Sequence, residues 1–369
     1  MIGFVKKEPV LTAALALAVI SFFFSAPGPQ LLSYIDFRTL ALLFCLMAVM
    51  KGFQETGLFS KAARSLLLRT KTLRQTSGAL ILLCFFTSML ITNDVALITF
   101  VPFSIEVLSA ADKRSSIPLT VVMQTLAANL GSMLTPIGNP QNLYLYSLSG
   151  MSVGEMVKLM LPYWWLSLVL TVFSLLFLKK EKIDSRDNTI LPPMKKASLI
   201  IYTVLFVICM LCVLRVIPYI AVLIVVLIAL LIYDRSILKK VDYSLLLTFV
   251  GFFIFIGNMG AVPAINSWLE GVINGRELAV GIISSQVLSN VPAALLLSGF
   301  TNRFDLLMTG TNIGGLGTII ASMASLISYK YIANYDSKLK GKYFLLFTVL
   351  NIVFLIILVA SAVVISTLS

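Results

Sequence analysis

Apolar runs of 18 or more residues recur along the whole chain, and no soluble core can absorb so many of them. Runs of this kind build polytopic helical membrane proteins, because a helix satisfies its own backbone hydrogen bonds where water is absent. Charge agrees: 12% of residues are charged, about half the share in soluble domains. The first run, Val10 to Phe24, follows Lys6 and Lys7 in the manner of a signal peptide. No convincing small-residue cleavage site follows it, so it reads as a retained first span.

Candidate spans fall at 9–25, 36–51, 117–148, 156–178, 198–214, 217–233, 243–259, 304–329 and 343–366. Two further apolar stretches, 78–110 and 278–300, carry polar interruptions. If each of these enters the membrane and returns on the same side, the chain makes nine crossings plus two re-entrant hairpins. The N-terminus is then cytoplasmic and the C-terminus outside. Of the 28 Lys and Arg residues, only Arg38, Lys158, Arg215, Arg276 and Arg303 then lie outside, as the positive-inside rule requires. A single crossing by 78–110 would put Lys113, Arg114 and the group from Lys179 to Lys196 on the wrong side. One 33-residue helix would also reach about 50 Å, against a core of about 30 Å.

The net charge of +12 follows from these loops and calls for no nucleic-acid partner. The chain has no His, which excludes His-based metal sites and Ser-His or Cys-His catalysis. Cys45, Cys84, Cys209 and Cys212 lie inside apolar spans, where the C-x-x-C spacing of the last pair reads as packing rather than metal ligation. Residues 53–75 interleave Leu58, Phe59, Ala62, Leu66 and Leu67 with bases, which predicts an amphipathic helix on the cytoplasmic surface. The stretch 179–197 is a polar linker that divides the chain nearly in half.

The halves resemble each other. Ser88–Asn93 aligns with Ser285–Asn290, and Asn129–Ile137 with Asn312–Ile320. The two Asn positions are 36 apart in one half and 22 in the other, so the alignment needs a gap. Upstream, Asp36-Phe37 pairs with Asp242-Tyr243. Span 198–214 sits between the halves and inverts the second, which gives inverted repeats of a kind that recurs in secondary transporters.

The polar interruptions are the candidate site. Thr92-Asn93-Asp94 and Ser289-Asn290-Val291-Pro292 supply capping residues for the legs that follow, with Pro292 in the first helical turn. Each second leg then offers free N–H groups at mid-membrane, where they attract anions. Span 117–148 carries Thr135, Pro136, Gly138, Asn139, Pro140, Gln141 and Asn142, and must unwind there. Span 304–329 breaks in the same way through Asn312, Gly314, Gly315, Gly317 and Thr318. Asp94 is the one acid clearly at mid-membrane depth, and it reads either as an ion-handling carboxylate or as a helix cap.

On these motifs the chain resembles the ion transporter superfamily: divalent anion/sodium symporters, arsenite permeases and related antiporters with a citrate-transporter-like domain. The tips Thr92-Asn93-Asp94 and Ser289-Asn290-Val291 stand at the symporters' paired Ser-Asn-Thr motifs. Ile137-Gly138-Asn139-Pro140-Gln141-Asn142 looks like the family's unwound segment. The resemblance implies an elevator, with a scaffold at 1–76 and 198–277, transport parts at 77–180 and 278–369, and a cytoplasmic linker at 181–197. It also implies a homodimer in the plasma membrane, and sodium or protons as coupling ion, sodium at the Asn93 and Asn290 tips. Asp94 and Val291 replace the symporters' Thr residues, and an Asn-Asp tip is closer to the arsenite permeases, where proton coupling is plausible.

The expected function is therefore secondary active transport of a small anion, an inorganic oxyanion or a carboxylate, driven by sodium or protons. The alternative is a cation/proton antiporter that uses Asp94. An enzyme is disfavoured by the missing His, the missing second mid-membrane acid and the absence of H-E-x-x-H or G-x-G-D. A passive channel differs from a carrier in showing no counterflow.

Overall fold

The computed structural model describes residues 8–183 and 195–368. The expected cytoplasmic N-terminus with Lys6 and Lys7, and most of the linker 181–197, lie outside the described residues. Secondary structure among the described residues is helical, apart from one isolated bridge between Thr72 and Lys182.

Besides a single turn at Leu31–Tyr34 and short 3-10 turns, the first half comprises α1 (Pro9–Ser21), α2 (Phe37–Glu55), α3 (Leu58–Leu67), α4 (Leu73–Ile91), α5 (Asn93–Ala110), α6 (Ile117–Ser132), α7 (Pro140–Ser149) and α8 (Val153–Ser174). The second comprises α9 (Lys196–Val213), α10 (Tyr219–Tyr233), α11 (Tyr243–Gly260), α12 (Pro263–Ile273), α13 (Glu277–Leu288), α14 (Asn290–Ser298), α15 (Phe304–Ile313), α16 (Met323–Tyr335) and α17 (Lys340–Leu368). Seven helical stretches among the described residues are long and apolar enough to cross a membrane.

Element starts follow capping chemistry. Asp36 accepts from the Thr39 N–H at 3.0 Å, and Asp242 from the Leu245 N–H at 3.0 Å. Their backbones match as well, at φ −79°, ψ 86° and φ −78°, ψ 85°. These are the two acids that the sequence alignment pairs.

α4 and α5 form a hairpin around a single residue, Thr92, at φ 69° and ψ 151°. Both legs meet Gln124 of α6, whose Nε2 donates to Ser104 Oγ at 2.8 Å and approaches Cys84 Sγ at 3.5 Å. The open ends meet too: Leu73 N–H donates to the Glu181 carbonyl at 2.8 Å, and Lys113 Nζ donates to the Glu181 carboxylate at 2.7 Å. The chain therefore leaves this hairpin at the end where it entered. α13 and α14 repeat the construction around Ser289, at φ 76° and ψ 152°. Their open ends are joined by Thr301 Oγ1 donating to Glu277 at 3.0 Å.

Several expected boundaries move. The amphipathic helix expected over 53–75 is Leu58–Leu67, because α2 continues to Glu55 and Gly57, at φ 78°, breaks the chain. The first hairpin begins at Leu73 rather than 78, so its legs have 19 and 18 residues, about 28 and 27 Å. Each is longer than half a bilayer, and the polar start Arg74-Gln75-Thr76-Ser77 accounts for about 6 Å of the first leg. The legs of the second hairpin have only 12 and 9 residues. The last broken span extends to Tyr335 instead of 329. α12 was not expected at all.

Two packing groups result. α1 lies along α11, and α9 and α10 lie along α2. α4 to α8 interlock with α13 to α17, with α16 against α5 and α17 against α6.

Candidate functional site

Both expected helix breaks are present. α6 ends at Ser132, a short 3-10 turn covers Pro136–Gly138, and α7 starts at Pro140 with Asn139 at its N-cap. α15 ends at Ile313, and the chain is non-helical through Gly314, Gly315, Gly317 and Thr318 until Ser322 precedes α16. Pro at the first position of α7 costs no hydrogen bond, which is why the helix restarts there.

Each break is tied to its own hairpin by the same contact. Thr135 Oγ1 donates to the Met89 carbonyl, and Thr318 Oγ1 donates to the Gln286 carbonyl at 2.9 Å. Met89 and Gln286 are aligned residues, three positions before each tip turn. Glycine permits this closeness. A Cβ at Gly131 would overlap the Phe85 carbonyl oxygen and stand 2.7 Å from Ser88 Oγ; one at Gly314 would stand 2.8 Å from Ser285 Oγ. The aligned serine thus meets the aligned glycine in both halves.

The tips are built alike. Asn93 Oδ1 accepts from the Asp94 N–H at 2.9 Å, and Asn290 Oδ1 accepts from the Val291 N–H at 3.0 Å. Thr92 Oγ1 lies 3.4 Å from the Val95 nitrogen. Asn93 Nδ2 donates to Asn129 Oδ1 at 3.0 Å, and Ser322 Oγ donates to the same oxygen at 3.0 Å. The neighbour of Ser322, Ala321, accepts from the Asn290 N–H at 2.9 Å. Asn129 and the Ala321-Ser322 pair therefore connect one tip to the other.

A second bridge joins the breaks. Asn312 Nδ2 donates to Asn142 Oδ1 at 2.7 Å, while Asn142 Nδ2 reaches the carbonyls of Ser132, Met133 and Thr135, each at 3.3 Å. Gln141 Nε2 adds a contact to the Thr311 carbonyl at 3.3 Å. The Gly138 N–H closes on Thr135 Oγ1 at 3.1 Å, and Gly315 packs beside Asn290 Nδ2.

The expected residues Thr92, Asn93, Asp94, Thr135, Gly138, Asn139, Pro140, Asn142, Ser289, Asn290, Asn312, Gly314 and Gly315 thus share one region. Thr318 lies at its exposed rim. Asp94 Oδ1, Asn129 Nδ2, Gln141 Oε1 and Asn312 Oδ1 are buried and have no hydrogen-bond partner. Buried polar atoms in this condition mark places where a ligand or water completes the shell. No Lys or Arg belongs to the network.

A cavity of about 430 Å³ reaches the second tip. Ser289 and Pro292 line it on one side, and Leu17 and Phe252, from α1 and α11, on the other. Its wall is otherwise apolar.

A family model described as Citrate transporter matches residues 2–301. The chain belongs to the citrate transporter family. An uncharacterized transporter of Methanocaldococcus jannaschii is 32% identical over 89% of this chain and 90% of its own length. An inner membrane protein of Escherichia coli is 29% identical, over 80% of each chain. A silicon efflux transporter of Oryza sativa is 30% identical over 41% of this chain and 30% of its own length. The chain is therefore a membrane transporter, as the Methanocaldococcus jannaschii and Oryza sativa relatives are named, and not an enzyme.

Within this family fold, sequence reasoning missed four participants. Ala321 acts through its carbonyl, which no side chain reveals. Asn129 opens a compared segment, paired with Asn312, but was not carried into the site, and Ser322 lies two residues beyond the compared segment. Gln286 shows a legible signal in hindsight: it is polar in an apolar leg, opposite Met89 in the alignment. Its Nε2 donates to the Gly314 and Leu316 carbonyls, each at 2.9 Å, and its Oε1 accepts from the Thr318 N–H at 2.9 Å.

Proposed function

We propose that this member of the citrate transporter family is a secondary active carrier of a small anion, an inorganic oxyanion or carboxylate, coupled to sodium or protons. The observation that carries this reading is the single network joining both tips and both helix breaks, with four buried polar atoms left without partners. Of these four atoms Asn129 Nδ2 is a donor, which with the helix N-termini suits an oxygen-rich anion, while Asp94 Oδ1, Gln141 Oε1 and Asn312 Oδ1 are acceptors that suit a coupling cation or proton. With no Lys or Arg in the network, a co-bound cation offsets the anion's charge. The family's description names citrate, a small carboxylate, and the rice relative's name gives silicon, a small inorganic cargo.

In this reading α1–α3 and α9–α12 are the scaffold, and α4–α8 with α13–α17 are the moving body. The two packing groups and the paired contacts in the two halves support an inverted repeat and an elevator motion. Nine crossings, a cytoplasmic N-terminus, residence in the plasma membrane and a scaffold-mediated homodimer belong to the same proposal. Asp94 supports a second reading, a cation/proton antiporter, because its Oδ1 is buried without a partner.

Proteoliposomes loaded in turn with arsenite, sulfate, phosphate, succinate or citrate test the first reading. It expects counterflow of at least one anion, increased by an inward sodium or proton gradient. Sodium/proton exchange with no anion flux favours the second reading and overturns the first.

A further inference from the structure

α3 joins α2 to the first hairpin, and only one of its faces is satisfied by protein. Ala63 and Leu67 are buried, and the Phe59 ring packs against Phe53 of α2 at 6.5 Å and Phe100 of α5 at 6.4 Å. The outward surface is mixed. Leu66 is 43% exposed and Leu68 is 71% exposed, beside the exposed bases Lys61, Arg69 and Lys71. None of these three bases makes a salt bridge among the described residues. The sequence offers them no local acid, since no Asp or Glu occurs between Glu55 and Asp94. The nearby Glu181 is engaged by Lys113 and Lys179.

This is not a general property of such connectors. α12 holds the corresponding place between α11 and the second hairpin. With the turn after it, it carries an exposed Trp268, the acid Glu270 and a single base, Arg276.

We propose that α3 and the turn after it form a docking surface for anionic phospholipid headgroups. Lys61, Arg69 and Lys71 hold the headgroup phosphates, while Leu66 and Leu68 enter the acyl boundary beneath them. Interleaved bases and exposed leucines fit a lipid surface better than a soluble polyanion, which gives the leucines nothing to bury against. The leaflet is cytoplasmic under the orientation proposed above; the binding itself does not depend on that assignment. Through Phe59, α3 touches both the scaffold helix α2 and the moving hairpin. A lipid held there fixes the level of the connector while the hairpin slides.

The test is lipid retention on the purified full chain, read by native mass spectrometry after titration with phosphatidylglycerol or phosphatidylcholine. The wild type is expected to prefer phosphatidylglycerol by roughly tenfold or more, and 0.5 M salt, about a 4 Å screening length, to erode that preference. The triple change Lys61→Gln, Arg69→Gln, Lys71→Gln brings the two lipids close to parity. A matched control, Lys239→Gln, Lys330→Gln, Lys338→Gln, removes three exposed bases elsewhere and leaves the preference unchanged. Leu66→Ser with Leu68→Ser weakens retention of both lipids. Melting curves confirm that each variant is folded. An undiminished preference in the first variant, or an equal loss in the control, overturns the proposal. Transport is not the readout, so failure here is separate from failure of the proposed function.

Discussion

Asn312 donates a hydrogen bond to Asn142 Oδ1 at 2.7 Å across 170 residues of chain, and so joins the two helix breaks. Both residues are buried. Asn312→Ala leaves Asn142 Oδ1 without its donor, at a cost of about 1–3 kcal/mol. The variant is expected to melt earlier in detergent than wild type and to lose gradient-driven uptake. Asn312→Asp, which keeps the shape but withdraws the donor, should fail in the same way. Wild-type uptake in either variant removes the bridge from the mechanism.

Gly131 and Gly314 are where the broken helices touch their hairpins. A methyl group at Gly131 collides with the Phe85 carbonyl, which is backbone and cannot step aside. At Gly314 it meets Gly310 O and Ser285 Oγ at 2.8 Å. Gly131→Ala is therefore expected to destabilise by about 3 kcal/mol or more, and Gly314→Ala by less. Melting temperatures of the two variants check the order; equal and unchanged values contradict the packing.

Much of this was legible in the sequence. The tips, the breaks and their pairing were visible because polar residues inside apolar runs stand out, and because Asn129–Thr135 could be laid against Asn312–Thr318. The bridges between halves were not. Nothing in the chain says that Asn142 meets Asn312, or that a bare carbonyl at Ala321 receives Asn290. Leg length was misjudged because the polar Arg74-Gln75 reads as the end of the amphipathic helix over 53–75, yet Thr72 caps a new helix there by accepting from the Gln75 N–H at 3.3 Å. α12 was missed because Pro263 and Gly271 interrupt a short apolar segment, and Pro263 in fact begins the helix.

Arg215 fastens α7 to the α9–α10 turn. It donates to the Gly150 carbonyl at 3.1 Å and the Tyr146 carbonyl at 3.3 Å, and its guanidinium sits 5.3 Å from the centre of the Tyr146 ring. The Tyr146 hydroxyl donates to the Val213 carbonyl at 3.0 Å. If α7 belongs to the moving body, this contact holds one end of the elevator's travel. Arg215→Gly removes the clasp at a positive φ of 63° without adding backbone strain, so a change in the variant is not due to new strain. Spin labels at positions 155 and 219 should show a longer distance population in that variant, absent from wild type. An identical distance distribution rules out the clasp as a stop.

Glu181 gives a pH-dependent contact. The hydrogen bond from Lys113, and then that residue's charge, hold its carboxyl below the ordinary 4.5. A lowered folded pKa means that the stabilisation is present above 4.5 and is lost as pH falls through the folded value. The group is exposed, so the effect is small. Glu181→Gln should melt slightly below wild type at neutral pH, and the two should converge in acid. A gap that widens in acid contradicts the pairing.

The central claim is that the paired tips, one from each half, form the transport site. It is tested most directly by ligand-induced thermal shifts of wild type, Asn93→Ala and Asn290→Ala against arsenite, sulfate, phosphate, succinate and citrate, each with and without sodium and at acid and neutral pH. Wild type is expected to be stabilised by at least one anion under one coupling condition, and both variants, though folded, to lose that shift. A full wild-type shift retained in both variants would place the site elsewhere and contradict the account.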